Sequence, residues 1–171
     1  MLSLCAPGHT VEVLGSSSEP SPRASQVYSC VPGWYHPAEG YTDRLEVIVI
    51  HTDAAGTVAA LRLAGDLTHE LHAHLRLVMT YEVPYPLPLD RPAVTVSVLE
   101  AQVRRWAEQA GWEVAGEIYL CRDKWQTLKR LLRPGSLLVV GGRTHWWSSG
   151  AQALAHHLEK DGYQVIFAEL R

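Results

Sequence analysis

The stretch LLVVGGRTHWWSSGAQAL, residues 137–154, gathers the side chains best suited to chemistry. A buried-looking apolar run ends at Gly141 and Gly142. Arg143, Trp146, Trp147, Ser148 and Ser149 follow before a helix-like stretch. Glycines let a backbone fold closely round an anion, and the N–H groups that open a helix favour negative charge. Arg143 adds a permanent cation with planar donors. Trp146 or Trp147 offers a face for a base or sugar. Asp53, closing an earlier apolar run, would face this loop across the sheet. Such a set suits the binding of a small anionic ligand. Each member also has a structural alternative. Arg143 can pair with a carboxylate, and Gly141 and Gly142 can serve close backbone packing. The two indoles can plug the sheet end, a reading their bulk favours.

Other constellations carry less. His69, His72 and His74 form H-x2-H-x-H, but only the first two share a helical face. Histidines there also suit the negative pole of a helix, whereas zinc needs three or four converging ligands, so no metal is expected. The adjacent His156 and His157 point in different directions and read as packing residues. Cys121-Arg122-Asp123-Lys124 sets a thiol beside two cations, which can lower a thiol pKa and make it redox-responsive. A half-buried cysteine at a strand end is the favoured alternative. Asp123 is placed to cap the helix that follows. There is no Gly-x-Ser-x-Gly elbow, Walker loop or His-Glu-x-x-His.

The elements that position these residues begin at Leu45. LEVIVIHTD, HLRLVMTYEV, WEVAGEIYLC, SLLVVGG and YQVIFAEL read as strands rich in Val, Ile and Leu. Four helices alternate with them. The first carries a stripe of Val58, Leu61, Ala64, Leu67, Thr68 and Leu71. The second, SVLEAQVRRWAEQAG, offers Ser97 and Glu100 as a capping box and Gly111 as a stop. The third ends at Pro134-Gly135. The fourth is opened by Ser148 or Ser149 and stopped by Gly162. Alternating strands and helices predict an α/β fold, a doubly wound, five-stranded parallel sheet covered on both faces. Such sheets bind ligands at the carboxyl ends of strands where strand order reverses.

Composition sets the outer limits. At 171 residues and 47% hydrophobic the chain can bury one real core. A net charge of −3 offers no basic face for nucleic acid. The longest apolar runs are far too short for a bilayer, and the start MLSLCAPGH lacks the regions of a secretory signal. Three cysteines, Cys5, Cys30 and Cys121, make no disulfide framework and suit a reducing cytoplasm. Residues 1–44 are punctuated by Pro, Ser and Gly and read as a disordered leader, with Trp34, Tyr35 and Tyr41 as a candidate docking arm. The domain is expected over 45–171.

Residues 45–171 resemble the universal stress protein family. VIVIHTDAAG is similar to its first strand and Asp-containing loop, and LRLVMTYEVP to its second strand and proline-broken loop. EIYLCRDKWQTLKRLL through LLVVGGR is similar to its third strand, short helix and fourth strand. The resemblance implies strand order 3-2-1-4-5, a homodimer through the last strand and an adenine-nucleotide site to which Asp53 contributes. ATP-binding members carry Gly-x2-Gly-x9-Gly-Ser/Thr after the fourth strand. Here Gly141 or Gly142 fills the first position, but Thr144 or His145 stands where the second glycine belongs, and the final pair falls inside the predicted fourth helix. The cradle is shortened and degenerate. The expected function is a non-catalytic cytoplasmic regulatory or stress-response protein with weak or lost adenine-nucleotide (ATP) binding. The expected ligand residues are Asp53, Gly141, Gly142, Arg143, Trp146 and Ser149. The expected partner is a second copy, through the apolar edge from Tyr163 to Leu170, with no nucleic acid and no membrane. The alternatives are a nucleotide-using enzyme, with Arg143 and Lys124 supplying charge, and a ligand-free interaction module.

Overall fold

The strand Glu46–Ile50 is the centre of the molecule: Val47, Ile48, Val49 and Ile50 have no solvent exposure at all. A strand buried on both faces needs helices above and below, and the alternating sequence supplies them. The computed structural model describes residues 26–29, 45–144 and 150–170. In chain order the strands are β1 (Gln26–Ser29), β2 (Glu46–Ile50), β3 (His74–Glu82), β4 (Ala115–Cys121), β5 (Leu137–Gly142) and β6 (Gln164–Glu169). The helices are α1 (Ala54–Leu71), α2 (Val96–Ala110), α3 (Lys124–Leu131) and α4 (Gly150–Lys160).

The sheet order is β1-β4-β3-β2-β5-β6. Strands β2 to β6 are all parallel and give the expected 3-2-1-4-5 arrangement of a doubly wound α/β fold. On one face, Val47, Val49, Leu77, Ile118 and Val139 pack under α1 and α2 with Leu61, Leu99 and Val103. On the other, Ile48, Ile50, Val78, Leu138 and Val140 pack against Leu128, Leu154 and Leu158 of α3 and α4. Each fully buried aliphatic side chain contributes about 1.5–3 kcal/mol, so this double layer is the main stabilising term.

The structure departs from the sequence reading at three places. Gln26–Ser29, expected within a disordered leader, forms an antiparallel strand on β4, where the edge backbone would otherwise lack partners. The far edge, β6, has no strand beside it among the described residues. α2 starts at Val96 rather than after Ser97. Thr95 is its N-cap residue and makes no side-chain cap bond; the Ser97 hydroxyl lies 3.3 Å from that of Thr95, and Glu100 approaches Arg104 at 3.9 Å. Leu71, counted in the buried stripe of α1, is 48% exposed, because the stripe turns through Ala60, Ala64 and Thr68. The stops at Gly111 and Gly162 are as expected, both with positive φ.

One polar cluster interrupts the α3/α4 face. Arg76 on β3 donates to Glu46 of β2 at 3.0 Å and to Glu117 of β4 at 2.8 Å. The Tyr119 hydroxyl donates to the same Glu117 oxygen at 2.6 Å. Burial opposes the Arg76 charge, but Glu117 and Glu46 outweigh it and hold the guanidinium protonated. Burial and the adjacent Glu117 carboxylate push the Tyr119 phenol well above its ordinary range. Glu117 is 2% exposed and depends on these donors. Replacing Arg76 with Met strands that carboxylate, so Arg76→Met should lose about 3–5 kcal/mol of stability in urea unfolding. Val98→Ala, at an exposed position, should change it by less than about 0.5 kcal/mol.

Candidate functional site

The carboxyl ends of the strands form a step. β2 stops beside Val78 of β3, while β3 and β4 run on together to Glu82 and Cys121. β5 continues past Ile50 to Gly142. The chain leaves β2 with β3 on one side and β5 on the other, so the crevice above β2 is the switch point at which α/β sheets take ligands.

His51 lies at the foot of this step. Its N–H donates to the Val78 carbonyl at 2.9 Å. Its Nδ1 lies 2.9 Å from the Thr57 hydroxyl, and its ring stacks on Trp106 of α2 at 4.7 Å between centroids. Burial, then the positive charge of Lys124, lower its pKa to about 4, with Asp53 opposing weakly. His51 is therefore a neutral imidazole at physiological pH. A histidine directly after four apolar strand residues was the one sequence signal for it, and that pattern equally marks a strand end.

Asp53 reaches the expected place but has a structural task. It is the N-cap of α1, and its Oδ1 accepts from the Gly56 N–H at 2.8 Å. Thr52 donates its hydroxyl to the Gly141 carbonyl at 2.7 Å, tying the start of α1 to the end of β5. Gly141 lies backbone to backbone against Gly56, and a Cβ on either would overlap the other's carbonyl. A Cβ on Gly142 would come within 2.5 Å of the Ala151 Cβ on α4. Both glycines thus serve close packing, the alternative raised from the sequence. Arg143 is exposed and has no carboxylate partner among the described residues. The Thr144 hydroxyl donates to the Glu169 carboxylate. Trp146 and Ser149, with Trp147 and Ser148, lie outside the described residues.

On the β4 side, Cys121 is fully buried, and burial raises its thiol pKa. This is the favoured structural reading of the cysteine, with the residue fully rather than half buried, and not the activated thiol; Arg122 donates to the Val83 and Leu87 carbonyls at 2.6 and 2.5 Å, against the Tyr85 ring at 4.2 Å. This clamp fixes the proline-rich loop after β3 and was missed in the sequence. Asp123 caps α3 as expected, accepting from Gln126 at 3.0 Å. His72 ends α1 in a left-handed conformation, and His69 packs near the Trp112 ring. His157 packs on Trp125 with ring centroids 4.1 Å apart. Among the described residues no group of three His, Cys, Asp or Glu is placed to hold a metal ion, and no helix is long and apolar enough to cross a membrane.

The chain is similar to two universal stress proteins of known structure. One, in complex with cAMP, is 15% identical, with a TM-score of 0.48 over 74% of this chain and 98% of that one. The other, from Archaeoglobus fulgidus, is 11% identical, with a TM-score of 0.46 over 73% of this chain and 93% of that one. No protein-family model matches the chain, and no curated protein does.

Two outcomes follow from this geometry. Gly141→Ala should cost more than about 2 kcal/mol of unfolding free energy, since the overlap is with rigid backbone, whereas Gly150→Ala, which meets open space, should be neutral or stabilising. The His51 imidazole, followed by NMR, should titrate near 4. Because its folded pKa lies below the unfolded one, its contribution is present above pH 6.5 and is lost as pH falls toward 4. The loss should reach about 2–3 kcal/mol and be absent from His51→Gln.

Proposed function

We propose that this chain is a universal-stress-protein-like regulatory protein of the stress response. It works without turnover, takes a small adenine nucleotide weakly in the crevice above β2 and acts as a homodimer. The observation that carries this reading is the 3-2-1-4-5 parallel sheet, with its switch point at His51–Asp53 and the glycine pair Gly141–Gly142 facing it. Weak binding is supported by the sequence after β5, where Thr144 or His145 stands in place of the second glycine of the family's phosphate loop, and by the packing role of Gly141 and Gly142 against Gly56 and Ala151. A role without catalysis is supported by the engagement of the reactive groups. Cys121 is buried with a raised pKa, His51 is held between Thr57 and Trp106, and Asp53 and Asp123 cap helices.

The dimer reading rests on β6. Val165, Ile166 and Phe167 are half-buried on an edge with no strand beside it among the described residues. Pairing of the segment Tyr163–Leu170 with its copy would satisfy that edge with two-fold symmetry.

Two measurements test the proposal. Calorimetric titration with AMP, ATP and cAMP should show saturable binding with a Kd above about 1 μM, and prolonged incubation with ATP should release no product. Steady turnover abolished by Arg143→Ala would replace this reading with the enzyme one, and a flat titration on folded protein would leave an interaction module. Sedimentation equilibrium should give twice the 19.0 kDa chain mass. A monomer at micromolar concentration would remove the edge-strand dimer.

A further inference from the structure

The two edges of the sheet are finished differently. β6 has no strand beside it among the described residues, whereas β4 carries β1. β1 is the one antiparallel strand among the described residues. It is also short. Gln26–Ser29 pairs with Glu117–Leu120 only, so Ala115, Gly116 and Cys121 have no strand partner on that side among the described residues.

β4 is held in place without β1. It is in register with β3 over its whole length, from Arg76 beside Ala115 to Glu82 beside Cys121. Ile118 and Leu120 are anchored in the layer under α1 and α2, and Glu117 and Tyr119 in the cluster around Arg76. The chain from Ser29 to Glu46 has only the three strand spacings between β1 and β2 to cross. That is about 15 Å, and at about 3.3 Å per residue its reach is several times greater. β1 can therefore leave β4 without pulling on the central strand.

An edge stripped of its neighbour is a row of unpaired N–H and C=O groups on a fixed strand, a template for another strand. The sense of β1 shows that this edge accepts an antiparallel partner. A two-fold axis brings a second β4 to it in that same sense. Full overlap of the two copies of Ala115–Cys121 sets Glu117 of each opposite Tyr119 of the other, so no two carboxylates face each other. Seven residues then pair where β1 pairs four.

We propose that β1 is a detachable guard on β4, and that its release exposes an interaction surface for the β4 edge of a second copy of this chain. This surface is separate from the β6 edge and does not depend on it.

The test uses the full chain carrying Val27→Pro and Tyr28→Pro together. Alternate residues of a strand bond to opposite sides, so one of the two prolines removes an N–H aimed at β4. Wild type and variant are compared by sedimentation velocity over a wide range of concentration, with amide hydrogen exchange over residues 117–120. The variant should unfold cooperatively, and its mass should rise with concentration to at least about twice that of wild type. Exchange over 117–120 should be fast in dilute variant and slow again as it associates. If β6 also pairs, two different two-fold contacts make an open chain and the mass keeps growing; if it does not, growth stops at a pair. Both results support the guard, and a monomeric wild type removes only the β6 dimer. A folded variant that keeps the wild-type mass at every concentration overturns the proposal. Association without renewed protection over 117–120 runs through another surface and overturns it as well. So does loss of cooperative unfolding in the variant, because β1 is then part of the core and not a guard.

Discussion

The contact on which the site depends is backbone against backbone: Gly56 in the first turn of α1 against Gly141 at the end of β5. No side chain fits between them. That approach brings the start of α1 down onto the end of β5, where Thr52 locks it with a hydrogen bond to the Gly141 carbonyl. Once α1 is seated, Asp53 is in position to cap it and Thr57 to meet His51. The crevice floor is therefore set by two residues without side chains. Gly141, one of the two glycines that read as a phosphate cradle in the sequence, is thus a packing residue of the fold, set against Gly56.

This explains which parts were legible in advance. The alternation of Val- and Ile-rich runs with helical stripes is a property of neighbours in sequence, and it led directly to a doubly wound sheet of five parallel strands; their order, 3-2-1-4-5, came only from the family resemblance. Stops such as Gly111 and Gly162 were legible because they need positive φ, a local demand. The Asp123 cap was legible for the same reason. The strand at Gln26–Ser29 was not, since four residues amid proline and serine carry no period and gain their structure only from the open edge of β4. The α2 cap failed because Ser97 and Thr95 compete at one helix start, and their hydroxyls meet each other.

The site was half legible. Asp53, Gly141, Gly142 and Arg143 do lie at the carboxyl end of the sheet, because strand order alone takes them there. Their roles were decided by contacts across long sequence separations. Gly56 is 85 residues before Gly141, and the Arg122 clamp reaches back to Val83 and Leu87. His51 was overlooked because its importance lies in what surrounds it, Trp106 from one helix and Lys124 from the start of another. A histidine type is visible in sequence; a half-buried histidine held neutral by its surroundings is not.

Charge placement separates the two ends of the sheet. In the buried cluster of β2, β3 and β4, one arginine faces two glutamates and a tyrosine, all within direct hydrogen-bond reach, so this region is electrostatically closed. Toward the carboxyl ends the arrangement is open: Asp53, Glu82 and Asp123 accept from backbone N–H groups and Glu169 from the Thr144 hydroxyl, while Lys124 and Arg143 have no carboxylate partner among the described residues. Removing a partner from the closed cluster leaves a charge buried in low dielectric and destabilises the fold. Removing Lys124 or Arg143 from the open end breaks no ion pair among the described residues, so the fold is less exposed to their loss. The side-chain ion pairs that the strands make are thus concentrated in the closed cluster, while the carboxyl ends are held by helix caps and backbone contacts.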